Sequence, residues 1–242
     1  MIESPILMSG TLLNALGVIA GSLIGVALKR RIPERLTDPI LRVLGLVTVV
    51  IAITGMLSAM FVSDTVTGAL VSSGSFLLLI SLVIGCVVGE LLRIDDRLGT
   101  FSKRIESRFG ASDFARGFIA ASLLFPIGAL AIIGPLDDGL RGDISILVLK
   151  TGLDFTASII LASTLGIGVL FSVVPLVIFQ GSITLLAGAI YPFVSPELLD
   201  SFSMVGYAIV LCIGINFVAQ QNIKVANLLP ALAVPVVYYF IS

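Results

Sequence analysis

A chain of 242 residues that is 57% hydrophobic and only 12% charged, with mean hydropathy +1.16, cannot have water as its main solvent; soluble domains carry about 25% charged residues. A net charge of −1 gives no basic field for nucleic acid, and the absence of histidine removes the usual general base, proton shuttle and imidazole metal ligand. At about 20 residues per transmembrane helix the length leaves little for a soluble domain, so the composition predicts a single integral membrane domain over residues 1–242, an all-α polytopic transmembrane bundle of about eight spans.

The first apolar run, 10–28, follows an N-terminus with Glu3 but no Lys or Arg. It lacks the basic segment of a signal peptide and is expected to stay in the mature protein. Asn14 sets one amide in this run, and Gly17, Gly21 and Gly25 recur every fourth residue, a face for close helix packing within the chain or across a dimer interface. The second and third runs cover 39–62 and 68–92, the third ending on Gly85 and Gly89. Arg31-Ile-Pro-Glu-Arg-Leu36 after the first run echoes Arg93-Ile-Asp-Asp-Arg-Leu98 after the third. Residues 1–136 therefore read as two tandem helical hairpins, an internal repeat of the kind by which transporter folds grow. Beyond it Ile94, Leu98, Phe101, Ile105 and Phe109 share one helical face, with Arg97, Lys103, Arg104 and Arg108 off it. That spacing predicts a basic amphipathic helix on the inner leaflet, either a lipid-sensing surface or a plain interfacial connector. The fourth run, 117–135, holds Pro126, which is expected to kink the helix or free a carbonyl.

Residues 137–242 read as a polar-lined second half. Asp137, Asp138 and Asp143 make an acidic external loop. In the fifth run, 144–171, Lys150 and Asp154 stand four residues apart on one helical face. At 1.5 Å per residue Asp154 lies roughly 15 Å deep, near the bilayer midplane, where an ionisable group costs at least ~2.5–3.5 kcal/mol on insertion scales. Two readings stand side by side: a buried ion pair that only fixes packing, or a cation or proton site at Asp154 with Lys150 as its countercharge when empty. Thr156 and Ser158 add hydroxyls near it, though a helical hydroxyl can also bond its own backbone. The sixth run, 173–192, carries Gln180 and Ser182, and no charge marks its division from the fifth near 170–175. Asn216 and Asn227 add single amides to the seventh and eighth runs, 202–219 and 225–241, where a lone amide is ordinary interhelical glue. Cys86 and Cys212 lie in separate apolar runs, and neither metal nor cofactor is expected.

With the N-terminus outside, Lys29, Arg30, Arg31, Arg35, Arg42, Arg93, Arg97, Lys103, Arg104, Arg108, Arg116 and Lys224 all fall on the cytoplasmic side, 12 of the 14 basic residues. The positive-inside rule selects that orientation, with both termini external. Tyr191, Tyr207, Tyr238 and Tyr239 then map near the outer interface, where amphipathic rings gather.

Four stretches are distinctive: Ala120-Ala-Ser-Leu-Leu-Phe-Pro-Ile-Gly-Ala-Leu-Ala131, Asp138-Gly-Leu-Arg-Gly-Asp143, Lys150-Thr-Gly-Leu-Asp154 and Gln180-Gly-Ser-Ile-Thr-Leu-Leu186. With the opening Gly10-Thr-Leu-Leu-Asn14 and the closing Lys224-Val-Ala-Asn-Leu-Leu-Pro230, the chain resembles, over nearly its whole length, the uncharacterised bacterial membrane proteins of the domain of unknown function 554 family, the YdfK/YqgA type. Pro126 departs from that pattern, where a small residue or cysteine is expected. The resemblance implies a bacterial inner-membrane protein and carries no activity.

Two functions compete. The first is a transporter or channel for a small solute or ion, cation- or proton-coupled through Asp154, with a pathway past Asn14, Lys150, Asp154, Thr156, Ser158, Gln180, Ser182 and Asn216. The second is a non-transporting scaffold or assembly protein acting through the glycine face and the basic helix. An enzyme is not expected, because the chain has no His, Gly-x-Ser-x-Gly or P-loop and Asp154 has no clear mid-span acidic partner. The expected partners are membrane lipids and an unidentified small solute or ion, with a homo-oligomer left open and no nucleic acid.

Overall fold

The computed structural model describes residues 8–29, 33–63, 70–72, 74–100, 114–127 and 130–241. The helices are α1 (Ser9–Lys29), α2 (Glu34–Met60), α3 (Ser75–Leu92), α4 (Phe114–Leu124), α5 (Leu130–Arg141), α6 (Ser145–Leu165), α7 (Gly168–Phe171), α8 (Val173–Leu185), α9 (Ala187–Ile190), α10 (Pro196–Ala219) and α11 (Ala233–Ile241). Short 3-10 segments cover Tyr191–Phe193 and Val225–Leu232. Among the described residues six helices are long and apolar enough to cross a bilayer: Ser9–Lys29, Asp38–Met60, Ser75–Leu92, Ser145–Leu165, Gly168–Leu185 and Pro196–Ala219. The protein is a polytopic helical membrane protein. Its helices turn large apolar side chains outward, among them Leu16, Val43, Phe76 and Leu91, as lipid rather than water requires.

Several boundaries differ from the sequence expectation, each for a local reason. The second and third runs do not meet as helices: β1 (Phe61–Ser63) and β2 (Leu70–Ser72) pair antiparallel, Phe61 opposite Ser72. The predicted fourth span is interrupted, since α4 stops at Leu124 and α5 begins at Leu130 around Pro126, whose ring removes a helix hydrogen bond. The predicted eighth span opens in the tighter 3-10 form over Val225–Leu232, with Pro230 inside it. The fifth and sixth runs divide at Gly166, not near 170–175; its φ of +78° ends α6, and 168–171 belong to the next span. Of the predicted amphipathic helix only residues 94–100 are described, and they are helical; the remainder lies outside the described residues.

The chain forms two compact units, each drawing on both sides of residue 136: Met1–Asp38 with Ser102–Val194, and Pro39–Phe101 with Ser195–Ser242. In the first unit α1 lays its glycine face along α6. Gly17 meets Thr151, Gly21 meets the Phe155 carbonyl and Ser158, and Gly25 meets the Ile159 carbonyl and Ala162. The two helices run in the same direction, Gly10 lying beside Leu147 at one end and Gly25 beside Ala162 at the other. α5 runs alongside α8, packing Leu136 on Ile183 and Ala187. Gly117 of α4 rests on Leu165, and Phe114 closes the same corner against Gly168. In the second unit α2 lies against α10, Gly45 on Phe217 and Gly55 on the Tyr207 ring. There α3 places Gly85 on Ala231 and Gly89 on Asn227 of the 3-10 segment. The echoing glycine pairs thus both serve intramolecular packing, on different kinds of partner.

Candidate functional site

Beside its glycine face α1 turns a second stripe inward: Thr11, Asn14, Val18 and Ser22, spaced three or four residues apart and all fully buried. α6 brings Lys150, Asp154 and Ser158 at steps of four, and α8 brings Gln180 and Thr184 at the same step, so each helix presents one polar face. The faces meet inside the first unit. Lys150 Nζ donates to both Asp154 oxygens, at 3.0 Å to Oδ1 and 2.8 Å to Oδ2. Asn14 Nδ2 donates to Asp154 Oδ2 at 3.0 Å and to Gln180 Oε1 at 3.2 Å. The charge dictates that arrangement: a carboxylate only accepts, so the Asn14 amide must face it nitrogen-first. Lys150 and Asp154 are 5% and 6% exposed, which makes this a desolvated ion pair whose members each depend on the other.

A polar file continues from this pair. The Thr11 and Thr184 hydroxyls lie 3.4 Å apart, and beyond them the Gly10 backbone N–H donates to Asp138 Oδ2 at 3.1 Å. On the other side Ser158 Oγ donates to the Asp154 main-chain carbonyl at 2.6 Å. Four buried atoms of the file have no hydrogen-bond partner among the described residues: Asn14 Oδ1, Gln180 Nε2, Ser22 Oγ and Asp138 Oδ1. Nearly all buried polar atoms are satisfied in folded proteins, so these four open positions set the file apart from ordinary helix packing.

Asn14, Lys150, Asp154, Ser158 and Gln180 are therefore brought together as the sequence suggested, but three other residues are not. Thr156 and Ser182 are exposed and donate to their own helix carbonyls, Gly152 and Ile178. Each sits two residues beyond a site residue, roughly 200° around the helix. Asn216 belongs to the second unit. Its amide accepts from Ile223 N and donates to Ile223 O, both at 2.9 Å, closing the turn after α10. The acidic loop is also corrected: Asp137 and Asp138 lie in the last turns of α5, with Asp138 buried, and only Asp143 lies in the connection. There it accepts from Ser145 N at 2.9 Å, and its bonds from Ser145 hold its carboxyl below the ordinary value.

A second polar cluster escaped the sequence reading. At the end of α3, Glu90 accepts from the Asn227 amide, whose Oδ1 in turn takes the Asp95 N–H at 2.8 Å. Lys224 bridges Glu90 and Asp96 at 3.4 and 3.6 Å, and the Glu90 bond raises its ammonium above the ordinary value. The residue types were visible, but partners 128 to 137 positions apart leave no local pattern.

A many-helix membrane protein with a charged pair buried in its interior is the class that fold and site define. The chain belongs to the family described as Protein of unknown function (DUF554), which it matches over residues 9–240. It is 33% identical over 235 residues to the Uncharacterized membrane protein YdfK of Bacillus subtilis (strain 168), covering 97% of this chain and 96% of that one. It is 28% identical over 230 residues to the Uncharacterized protein YqgA of Escherichia coli (strain K12), covering 92% of each. No solved structure matches.

Proposed function

We propose that the protein is a transporter or channel, not an enzyme, for a small solute or ion, and that the Lys150 and Asp154 pair with Asn14 and Gln180 is its substrate site, cation- or proton-coupled through Asp154. The carrying observation is the pair of open positions, Asn14 Oδ1 and Gln180 Nε2, on two linked amides, of which Asn14 donates to the buried ion pair and Gln180 accepts from Asn14. Polar glue that only fixes packing would be expected to saturate itself. The scaffold reading draws on the glycine face and the basic helix, and of these the glycine face is already used, since Gly17, Gly21, Gly25, Gly85 and Gly89 are all covered within the chain.

The same proposal sets the chain in a bacterial cytoplasmic membrane with eight crossings and both termini external. Helix direction supports that count. α1 and α6 run the same way, so the chain between them must cross an odd number of times. α2 and α3 supply two crossings, and the broken stretch α4 to α5 is the available third.

The test is the Lys150→Met, Asp154→Asn double variant. Either change alone strands a buried charge at a cost of about 3–5 kcal/mol, whereas the double change removes both charges and should fold. A folded double variant that no longer moves solute in proteoliposomes supports the proposal. Full flux through it would overturn the assignment of the site.

A further inference from the structure

The atoms around Asp154 restrict what its carboxylate can exchange. A metal cation is held by a shell of oxygens, but both side chains bonded to this carboxylate present N–H: Lys150 Nζ and Asn14 Nδ2. The Ser158 hydroxyl donates to the Asp154 main chain instead. A carboxylate enclosed by donors has room for a proton, not for a metal ion. Among the described residues, the ionisable groups on the helices packed against α6 stand apart from it. Lys29 of α1 lies by Gly166, and Arg116 of α4 is next to Gly117, which packs on Leu165. Asp138 of α5 holds the Gly10 N–H, with Asp137 and Arg141 in the same last turns. α7 carries no ionisable residue, and neither does α8, which packs on α1.

Charge balance then constrains the solute. As it stands the pair is neutral. A proton added to Asp154 alone would leave Lys150 as an uncompensated buried ammonium, and an anion added alone would leave two negative charges facing one positive. Both states are strongly disfavoured out of water, but proton and anion together keep the site neutral. The open valences agree: Gln180 Nε2 is a buried donor lacking an acceptor, and Lys150 would become a second donor once Asp154 is protonated.

We infer that the solute is a small monovalent anion that binds together with one proton, the anion between Lys150 and Gln180 and the proton on the Asp154 carboxylate. The inference rests on the transport site proposed above and names its substrate class. The proton comes from the aqueous phase, forms one O–H bond at Asp154 and releases Lys150 to the anion; both leave together. Asn14 Oδ1 remains as an acceptor for any hydroxyl the anion carries.

The experiment uses the full chain in detergent at weak buffering, with the sodium and choline salts of chloride, nitrate, formate and lactate as probes. Thermal stability and released or absorbed protons are both recorded. At least one anion should stabilise the protein with either counter-cation, take up about one proton per anion bound, and lose affinity about tenfold per pH unit. Asp154→Asn mimics the protonated carboxyl, so its folded yield should be rescued by that anion and its affinity should no longer depend on pH. The double variant with Lys150→Met should bind none. Stabilisation that follows sodium, anion binding without proton uptake, or no response to any probe would each overturn the inference. Flux judges the transport reading separately: coupled binding without flux in proteoliposomes sinks that reading alone, and flux of a neutral or cationic solute sinks this inference alone.

Discussion

Asn14 joins three helices through a single nitrogen, donating to Asp154 of α6 and Gln180 of α8 from the middle of α1. Asn14→Leu keeps the bulk but leaves both acceptors short of a donor, and an unsatisfied buried group costs about 1–3 kcal/mol. A clear fall in the melting temperature of the purified protein is expected. Thr156→Val and Ser182→Ala should instead change stability by less than about 0.5 kcal/mol and leave flux intact, because those hydroxyls face outward and bond their own helices. Equal damage from all three variants would refute this division. Part of it was legible in the sequence. Lys150 and Asp154 share one helix at a step of four, and that spacing fixes their meeting without knowledge of the fold. The same periodicity, applied strictly, also turns Thr156 and Ser182 away. Asn14 stands 140 residues from Asp154 and 166 from Gln180, and no local rule predicts which helices become neighbours.

At the scale of elements, the glycine faces are where sequence and structure agree most closely, because a small residue every fourth position has one physical use in lipid. A Cβ at Gly21 would overlap the Phe155 carbonyl oxygen, backbone that cannot step aside as a side chain would. Gly21→Ala should therefore cost about 1–3 kcal/mol by overpacking, and Gly21→Leu should abolish the folded yield. Gly152 lies on α6 as well but has open space where its Cβ would go. Gly152→Ala should be neutral or stabilising by up to about 1 kcal/mol. Thermal melts of wild type, Gly21→Ala and Gly152→Ala, with folded yield as the readout for Gly21→Leu, check the contrast; an unaffected Gly21→Ala would mean that α1 and α6 are not in close contact. Helix ends were less legible. Pro126 advertised the break between α4 and α5, but Gly166, which ends α6, sits between Leu165 and Ile167 and has the hydropathy of its surroundings. Its role is carried by a positive φ, which composition does not encode.

Over the whole molecule the proposed eight-crossing topology rests on two independent arguments, the basic residues and the helix directions. The proposed orientation puts 12 of the 14 basic residues on the cytoplasmic side, while the packing of the helices bears on the parity of the crossings. In the second unit α3 runs opposite to the closing segment, Gly85 beside Ala231 and Gly89 beside Asn227, as a third and an eighth span must. α2 and α10 are likewise opposed, Gly45 beside Phe217 and Gly55 beside Tyr207, as a second and a seventh must be. The chief rival is a six-crossing chain in which the shorter apolar helices Phe114–Leu124 and Val225–Ile241 do not span. Reporters on the termini cannot separate the two, since any even count returns the C-terminus to the side of the N-terminus. Two interior positions can. With eight crossings the connection after α5 is external and the turn after α10 is cytoplasmic; with six, both are reversed. Arg141 and Gln221 are exposed at those places, so Arg141→Cys and Gln221→Cys, each made in a chain with Cys86 and Cys212 replaced by alanine, report directly on the choice. A membrane-impermeant maleimide applied to intact spheroplasts should label the cysteine at 141 and reach the one at 221 only after lysis. The opposite pattern would remove the crossing at α4 to α5, and with it the shared direction of α1 and α6 that brings Asn14 to Asp154.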